Sequence, residues 1–194
     1  MPAALALGAD PTDESTRGSE FADAMSMLAS GVVLVTSLVS DRPWGTTVTA
    51  FISVSAEPPT VLISLGSATA SAHAITTSGR FGVSILGDDQ LAVARFGSTS
   101  GVAKFIEAFV DAADGNGTSP VVAGSLAHLD CELTDAVQVA DHTLFLGRVL
   151  TSRLPGGGTP LLYHRRGYRS LGGRVGGRQR LRAERSSHVS RVDS

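Results

Sequence analysis

The chain has 194 residues, room for one domain that hides roughly 70% of the surface its unfolded form exposes, and too few for two full domains. Hydrophobic residues make up 42% and charged residues 18%, which excludes a wholly disordered polar chain, and a single cysteine, Cys131, excludes an internal disulfide, a CxxC redox pair and a multi-thiolate metal site. The net charge of −2 conceals an asymmetry, because six arginines against Glu184 and Asp193 leave the segment after Gly172 at +4 and the remainder at −6. Without interleaved aromatics, that Gly/Arg/Ser tail (173–194) reads as a disordered, solvated end, and no nucleic-acid partner is expected.

Met1 to Gly18 lacks periodicity and reads as a disordered leader (1–18), with no basic segment to make its short apolar piece a secretory signal. From Ser19, a predicted N-cap, Phe21, Ala24, Met25 and Leu28 fall on one face of a helix that Gly31 is placed to end. VVLVTSLV follows as a buried strand. The apolar region MLASGVVLVTSLV is broken by Gly and hydroxyl residues and is shorter than the ~20 residues a membrane span needs, so a soluble, cytoplasmic protein is expected.

Ser40 to Pro43 carries turn chemistry and predicts a hairpin into the next strand, Gly45 to Pro59. That strand is unusual. Val48, Phe51, Ile52 and Val54 supply apolar mass, while Thr46, Thr47, Thr49, Ser53 and Ser55 place short donors and acceptors where a buried strand would carry aliphatics, a mixture suited to lining a polar ligand. Pro58 and Pro59 end it, and TVLISL resumes as a second strand.

Thr69 and Ser71 then open a predicted helix that Gly79 closes. The first turn of a helix leaves amides unpaired and carries about half a positive charge, so this entrance is either a simple cap or a cradle for an anion. FGVSIL is a strand and DDQLAVARF a short helix. Lys104 stands beside Phe105 and on the residues alone reads as a surface lysine or a ligand contact. SLAHLDCELTDAVQVADHTLFLGRVLTSRL predicts two long strands turning near Ala140 and Asp141, and PLLYHRRGYRSL a last strand. Long hairpins without intervening helices favour a β-barrel or sandwich over a doubly wound sheet.

Other chemistries lack their residues. The five histidines, His73, His128, His142, His164 and His188, are dispersed without metal-ligand spacing, and neither a GxSxG elbow nor an SxxK pair stands out for nucleophilic catalysis. GNG at 115–117 does not join a strand to a helix, so a Rossmann site is not expected.

The run GTTVTAFISVSAEPPTVLISL, followed in order by SATAS, HAITTSGRFGVSIL, ARFGS, KF, LAHLDCEL, ADHTLFLGRV and PLLYHRRGY, resembles the flavin reductase domain family from about Phe21 to Leu171. The resemblance implies a mostly β domain over 19–172, an FMN-binding split β-barrel with flanking helices, assembled as a homodimer. It implies an NAD(P)H:flavin oxidoreductase that reduces FMN or FAD with NADH or NADPH and supplies a partner flavin-dependent monooxygenase. Thr47, Val48, Thr49, Ala50 and Ser53 would border the flavin ring and ribityl chain, and Thr69, Ala70 and Ser71 would meet the phosphate, with Lys104 and Phe105 nearby.

ADHTLFLG resembles the family's GDH motif, with Ala140 in place of the glycine, and implies that His142 meets the pyridine nucleotide. Arg166 and Tyr168 match the family's C-terminal motif and would reach the nucleotide or shape the flavin pocket. Such an enzyme asks no side chain to act as acid or base, because hydride passes directly between the cofactors. The same residues also accommodate a barrel that retains FMN and acts on another substrate, or a flavin-binding protein that consumes no nicotinamide.

Overall fold

A computed structural model describes residues 11–111, 119–155 and 157–171, with side chains described from Thr16 onward. Strands dominate, all paired antiparallel. β1 (Ser30–Gly31), β2 (Val33–Val39), β3 (Arg42–Val48), β4 (Phe51–Ala56), β5 (Pro59–Gly66), β6 (Arg80–Ile85), β7 (Ala127–Val139), β8 (His142–Arg153), β9 (Leu161–His164) and β10 (Gly167–Ser170) are joined with helices α1 (Pro11–Ser26), α2 (Ala70–Ser78) and α3 (Leu91–Ser98). Seven strands form one sheet in the order β3-β2-β6-β7-β8-β5-β4, and β1-β9-β10 form a small second sheet. Among the described residues no helix is long and apolar enough to cross a membrane.

The large sheet is covered on both faces, and its central strands show this in their residues. Val33 and Val35 of β2 point into one core with Val61, Ile63, Phe81, Val83 and Phe145, capped by Ala72 and Ile75 of α2. Leu34, on the opposite face, joins Val93 and Ala94 of α3, Ile106 and Leu161 in a second core. A strand buried on both sides reads as a continuous apolar run, which is why VVLVTSLV carries no alternation.

The sheet curls. Val48 on β3 and Val61, Ile63 and Leu65 on β5 come from distant places in the strand order yet share one cluster. Ser64 of β5 donates to the Ala50 carbonyl at 3.1 Å. β3 and β4 nevertheless stand at the two ends of the order. A Cβ on Gly147 would overlap the Phe81 ring, so β8 packs against the core aromatics only because position 147 is bare.

Several predicted elements hold. The β2–β3 hairpin turns at Ser40 and Asp41, α2 is capped by Thr69 at its start and by Gly79 (φ 69°) at its end, and the β7–β8 hairpin turns at Ala140 and Asp141. Three differ. Gly45 to Pro59 is two strands, because β3 pairs with β2 whereas β4 pairs with β5, and the chain must break at Thr49 and Ala50 to pass from one end of the order to the other.

The last segment is a hairpin of β9 and β10, turned by Arg165 and Arg166 at φ 49° and 56°, a conformation that two arginines do not announce. α1 begins at Pro11, inside the stretch predicted as leader. Ser19 lies within it, its hydroxyl donating to the Thr16 carbonyl instead of capping. Pro11 followed by Asp13 and Glu14 is itself an N-terminal signature, with proline's fixed φ in the first turn and acids beside the unpaired amides. Phe21, Met25 and Leu28 are exposed, so the face expected to pack inward has no cover among the described residues. Residues 1–10, the glycine fingerprint at 115–117 and 173–194 lie outside the described residues.

Candidate functional site

Alternation along β3 sends Trp44 and Thr46 to one face of the sheet and Thr47 to the other, and the predicted site residues divide the same way. On the inner face, α2 presents its first turn. Thr69 accepts from the Ala72 amide at 3.2 Å and donates to the Gly66 carbonyl at 2.8 Å, so its hydroxyl caps the helix. Ser71 is 1% exposed and turned inward, accepting from Trp44 Nε1 at 3.1 Å and lying 2.5 Å from the Thr46 hydroxyl. Both hydroxyls are thus occupied, which leaves the Ala70 and Ser71 amides as the donors the helix entrance offers.

Trp44 also meets Phe105 edge to face at 5.0 Å, and Arg42 lies over that ring at 3.8 Å. The Lys104 carbonyl accepts from the Gly45 amide at 3.0 Å, fastening the Lys-Phe pair to the outer edge of β3. Burial pulls the Lys104 pKa below its ordinary value, and it has no carboxylate partner among the described residues, the condition of a cation lacking its anion. Trp44 thus touches both Phe105 and Ser71, and Lys104 is tied to the same strand through the Gly45 amide.

His142 lies beside this entrance. It pairs across the sheet with Gly66, and Ser67 donates to the Asp141 carbonyl at 2.9 Å. Its Nδ1 is 2.9 Å from Asp141 Oδ1, and this hydrogen bond, with Asp141's own backbone and the imidazole charge, holds the Asp141 carboxyl below its usual range. The turn forms without glycine because Ala140 itself takes φ 52°.

On the outer face a cleft of about 400 Å³ is lined by Thr47, Thr49, Ser98, Tyr163, Arg166 and Tyr168. α3 closes tightly on β3 here, since a Cβ on Gly97 would overlap Thr47 Oγ1, which donates to the Ala94 carbonyl at 2.7 Å. Tyr168 donates to that same carbonyl at 3.2 Å and stacks edge to face on Tyr163 at 5.3 Å. Arg166 is paired with Asp23 of α1 at 2.5 Å.

The cleft brings Thr47 and Thr49 together with Arg166 and Tyr168, but His142 is not among its lining residues. Thr49, Ala50 and Ser53 are exposed, Val48 is buried in the core, and the Thr49 and Ser53 hydroxyls have no partner among the described residues. Trp44, Tyr163 and Ser98 were not singled out from sequence. Trp44 was legible, since on a strand it shares a face with Thr46.

The fold and this site together define a class: an antiparallel β domain whose hydroxyl-lined strand ends and bare helix entrance suit a polar, anionic ligand. The chain belongs to the flavin reductase like domain family, matching it over residues 25–172. It is 36% identical over 161 residues to the NADH:riboflavin 5'-phosphate oxidoreductase of Streptomyces pristinaespiralis, an alignment spanning 82% of this chain and 91% of that one.

Among solved structures, the styrene monooxygenase flavin reductase of Pseudomonas putida superposes with a TM-score of 0.71 at 31% identity, covering 80% of this chain and 99% of that one. The NADH:FAD oxidoreductase of Streptomyces globisporus, in complex with NAD and FAD fragments, gives 0.72 at 30% identity, covering 87% and 97%.

Proposed function

We propose that this protein is an NADH:flavin oxidoreductase that reduces free or loosely held FMN or FAD and passes the reduced flavin to a partner monooxygenase. One observation carries the reading. Threonines 47 and 49, expected at the flavin, and Arg166 and Tyr168, expected at the nucleotide, line one cleft although they come from opposite ends of the domain. The residues present fit a flavin: unpartnered hydroxyls on Thr49 and Ser53, two helix amides and a partly buried lysine without a counter-ion.

When bound, the flavin supplies the hydride-accepting ring and NADH the hydride. The protein's own work is positional. The Ala70 and Ser71 amides and Lys104 hold the phosphate, since a helix entrance and a cation both favour negative charge. Backbone groups of Thr47 to Ala50, with the Ser53 hydroxyl, border the ring and ribityl chain. Arg166, Tyr168 and Tyr163 shape the outer cleft for the nucleotide, and His142 stands at the phosphate side with its ring oriented by Asp141.

The domain is a split barrel over 19–172, with its β3 and β4 ends completed in a homodimer, and α1 enters it from Pro11. In support of the dimer, β4 is an edge strand carrying exposed Ile52 and Val54.

Mixing the purified protein with NADH or NADPH and with FMN or FAD, and following the loss of nicotinamide absorbance under air, tests the reading. Consumption that requires added flavin is expected. Tight flavin binding without nicotinamide consumption in any of the four combinations would leave only a carrier.

A further inference from the structure

A second cleft, of about 340 Å³, lies between α2 and the turn that joins β2 to β3. Leu38, Val39 and Ser40 form one wall, and Ala70, His73 and Thr77 lie along the other. With Ala74, these helix residues fall at i, i+3, i+4 and i+7, so the groove runs along one face of α2 from its first residue to its last turn.

We propose that this groove is an adenosine subsite, and that the flavin this protein takes is FAD in preference to FMN. The inference rests on the phosphate position proposed above at the Ala70 and Ser71 amides. The groove begins at Ala70, so whatever continues beyond that phosphate meets it next. FMN ends at the phosphate, whereas FAD continues through a second phosphate into a ribose and an adenine.

The walls have the chemistry a nucleoside needs. Leu38, 49% exposed, with Val39 and Ala74 supplies apolar surface for the faces of a purine, and burying it removes water from a side chain that the chain alone leaves wet. The exposed His73 ring can stack on a base. The Ser40 and Thr77 hydroxyls have no partner among the described residues and can meet ribose oxygens or ring nitrogens.

Ser37 shares with Val39 one face of β2, and its hydroxyl is buried without a partner among the described residues. None of the described residues that line the groove is acidic. Its volume stands at the low end of the ~300–1,000 Å³ typical of ligand pockets, a size for a nucleoside and not for a whole dinucleotide.

NADH carries the same adenosine diphosphate, and the test separates the two sources. FMN and FAD affinities are measured by fluorescence quenching for the wild type, for Thr77→Trp, which fills the groove, and for His73→Ala, which removes the stacking ring without adding bulk. The Michaelis constant for NADH is measured in parallel with FMN as acceptor.

The expected result is FAD bound at least tenfold more tightly than FMN, a preference that Thr77→Trp abolishes and His73→Ala reduces several-fold, with FMN affinity setting the baseline in each. Equal wild-type affinities, or a preference that survives in both variants, overturn the proposal. So does a raised NADH constant with FAD affinity unchanged, which would give the groove to the other adenosine. Failure of both flavins to bind the wild type defeats instead the flavin reading on which the proposal rests.

Discussion

At the scale of single residues, burial separates side chains that can react from those that only pack. Cys131 is fully buried, and that burial, with the charge of Asp130, pushes its thiol up to about 12. The thiolate is the nucleophile, so this cysteine is inert in the native protein. Titration with a disulfide reagent at pH 8 is expected to label nothing until denaturant is added, then one thiol per chain; labelling of the native protein at the denatured rate would contradict the burial.

Lys104 is the opposite case. Its lowered pKa marks a cation held partly out of water without a carboxylate, and an anionic ligand relieves that cost. Lys104→Ala is expected to weaken FMN binding about tenfold, or about 1.4 kcal/mol, while leaving thermal stability unchanged or raised. Ser71→Ala should do the reverse: flavin affinity little altered, because its amide remains, and about 1 kcal/mol of stability lost with the Trp44 and Thr46 hydrogen bonds.

At the scale of elements, Asp130 on β7 shows how a buried charge fixes a connection. Burial acts to raise its pKa, but the Ser119 amide and hydroxyl, at 2.9 and 2.7 Å, together with the Arg80 guanidinium, outweigh that and hold it below the ordinary carboxylate value. A carboxyl whose folded pKa is depressed adds stability above its unfolded pKa of about 4 and loses it as pH falls through the folded value. Arg80 is 42% exposed and solvent screens its share.

Asp130→Asn is therefore expected to cost roughly 2 kcal/mol at neutral pH, with the stability difference between mutant and wild type shrinking as the pH falls below the ordinary carboxylate range. A difference that stays constant with pH would deny the charge any part in the clamp. The β7–β8 turn offers a gain instead. Ala140 sits at φ 52°, where a Cβ costs about 1–2 kcal/mol and glycine costs less, so Ala140→Gly should raise the melting temperature, by roughly 0.5–1 kcal/mol of stability.

These elements also show what the sequence could tell. The two cap residues of α2 were legible because Thr69 and Gly79 act within their own turn. The break at Thr49 and Ala50 was not, because it arises from β3 and β4 choosing partners far apart in the chain. Nor was the Arg165-Arg166 turn, held by contacts with α1 that no local pattern encodes: Arg165 donates to the Ser26 carbonyl at 2.7 Å, and Arg166 pairs with Asp23. The site followed the same rule. The ordered motifs named its candidate residues, but their division between the two faces of β3, with Ser71 turned inward, became visible only when strand pairing fixed which residues alternate.

At the scale of the molecule, several exposed apolar residues fall in pairs along one face of an element. Ile52 and Val54 are 56% and 48% exposed on an edge strand, Val137 and Val139 project from the far end of β7, and Phe21 and Leu28 of α1 are open to water. An edge strand with unpaired amides and bare aliphatics invites pairing, which monomeric proteins suppress with charges or proline. β4 has neither within Phe51–Ala56, so a second copy of the chain is the proposed cover.

If β4 lies in that interface, Ile52→Lys with Val54→Lys should convert a dimer into a monomer in sedimentation equilibrium, since like charges from both copies would be buried against one another. The same dimer would set Ser53, on the other face of β4, beside the contact. The monomeric variant is then expected to bind flavin more weakly although no residue facing the flavin has changed. A wild-type protein that sediments as a monomer, or a variant that remains dimeric, would move the contact off β4, and Ser53 would have to act within a single chain.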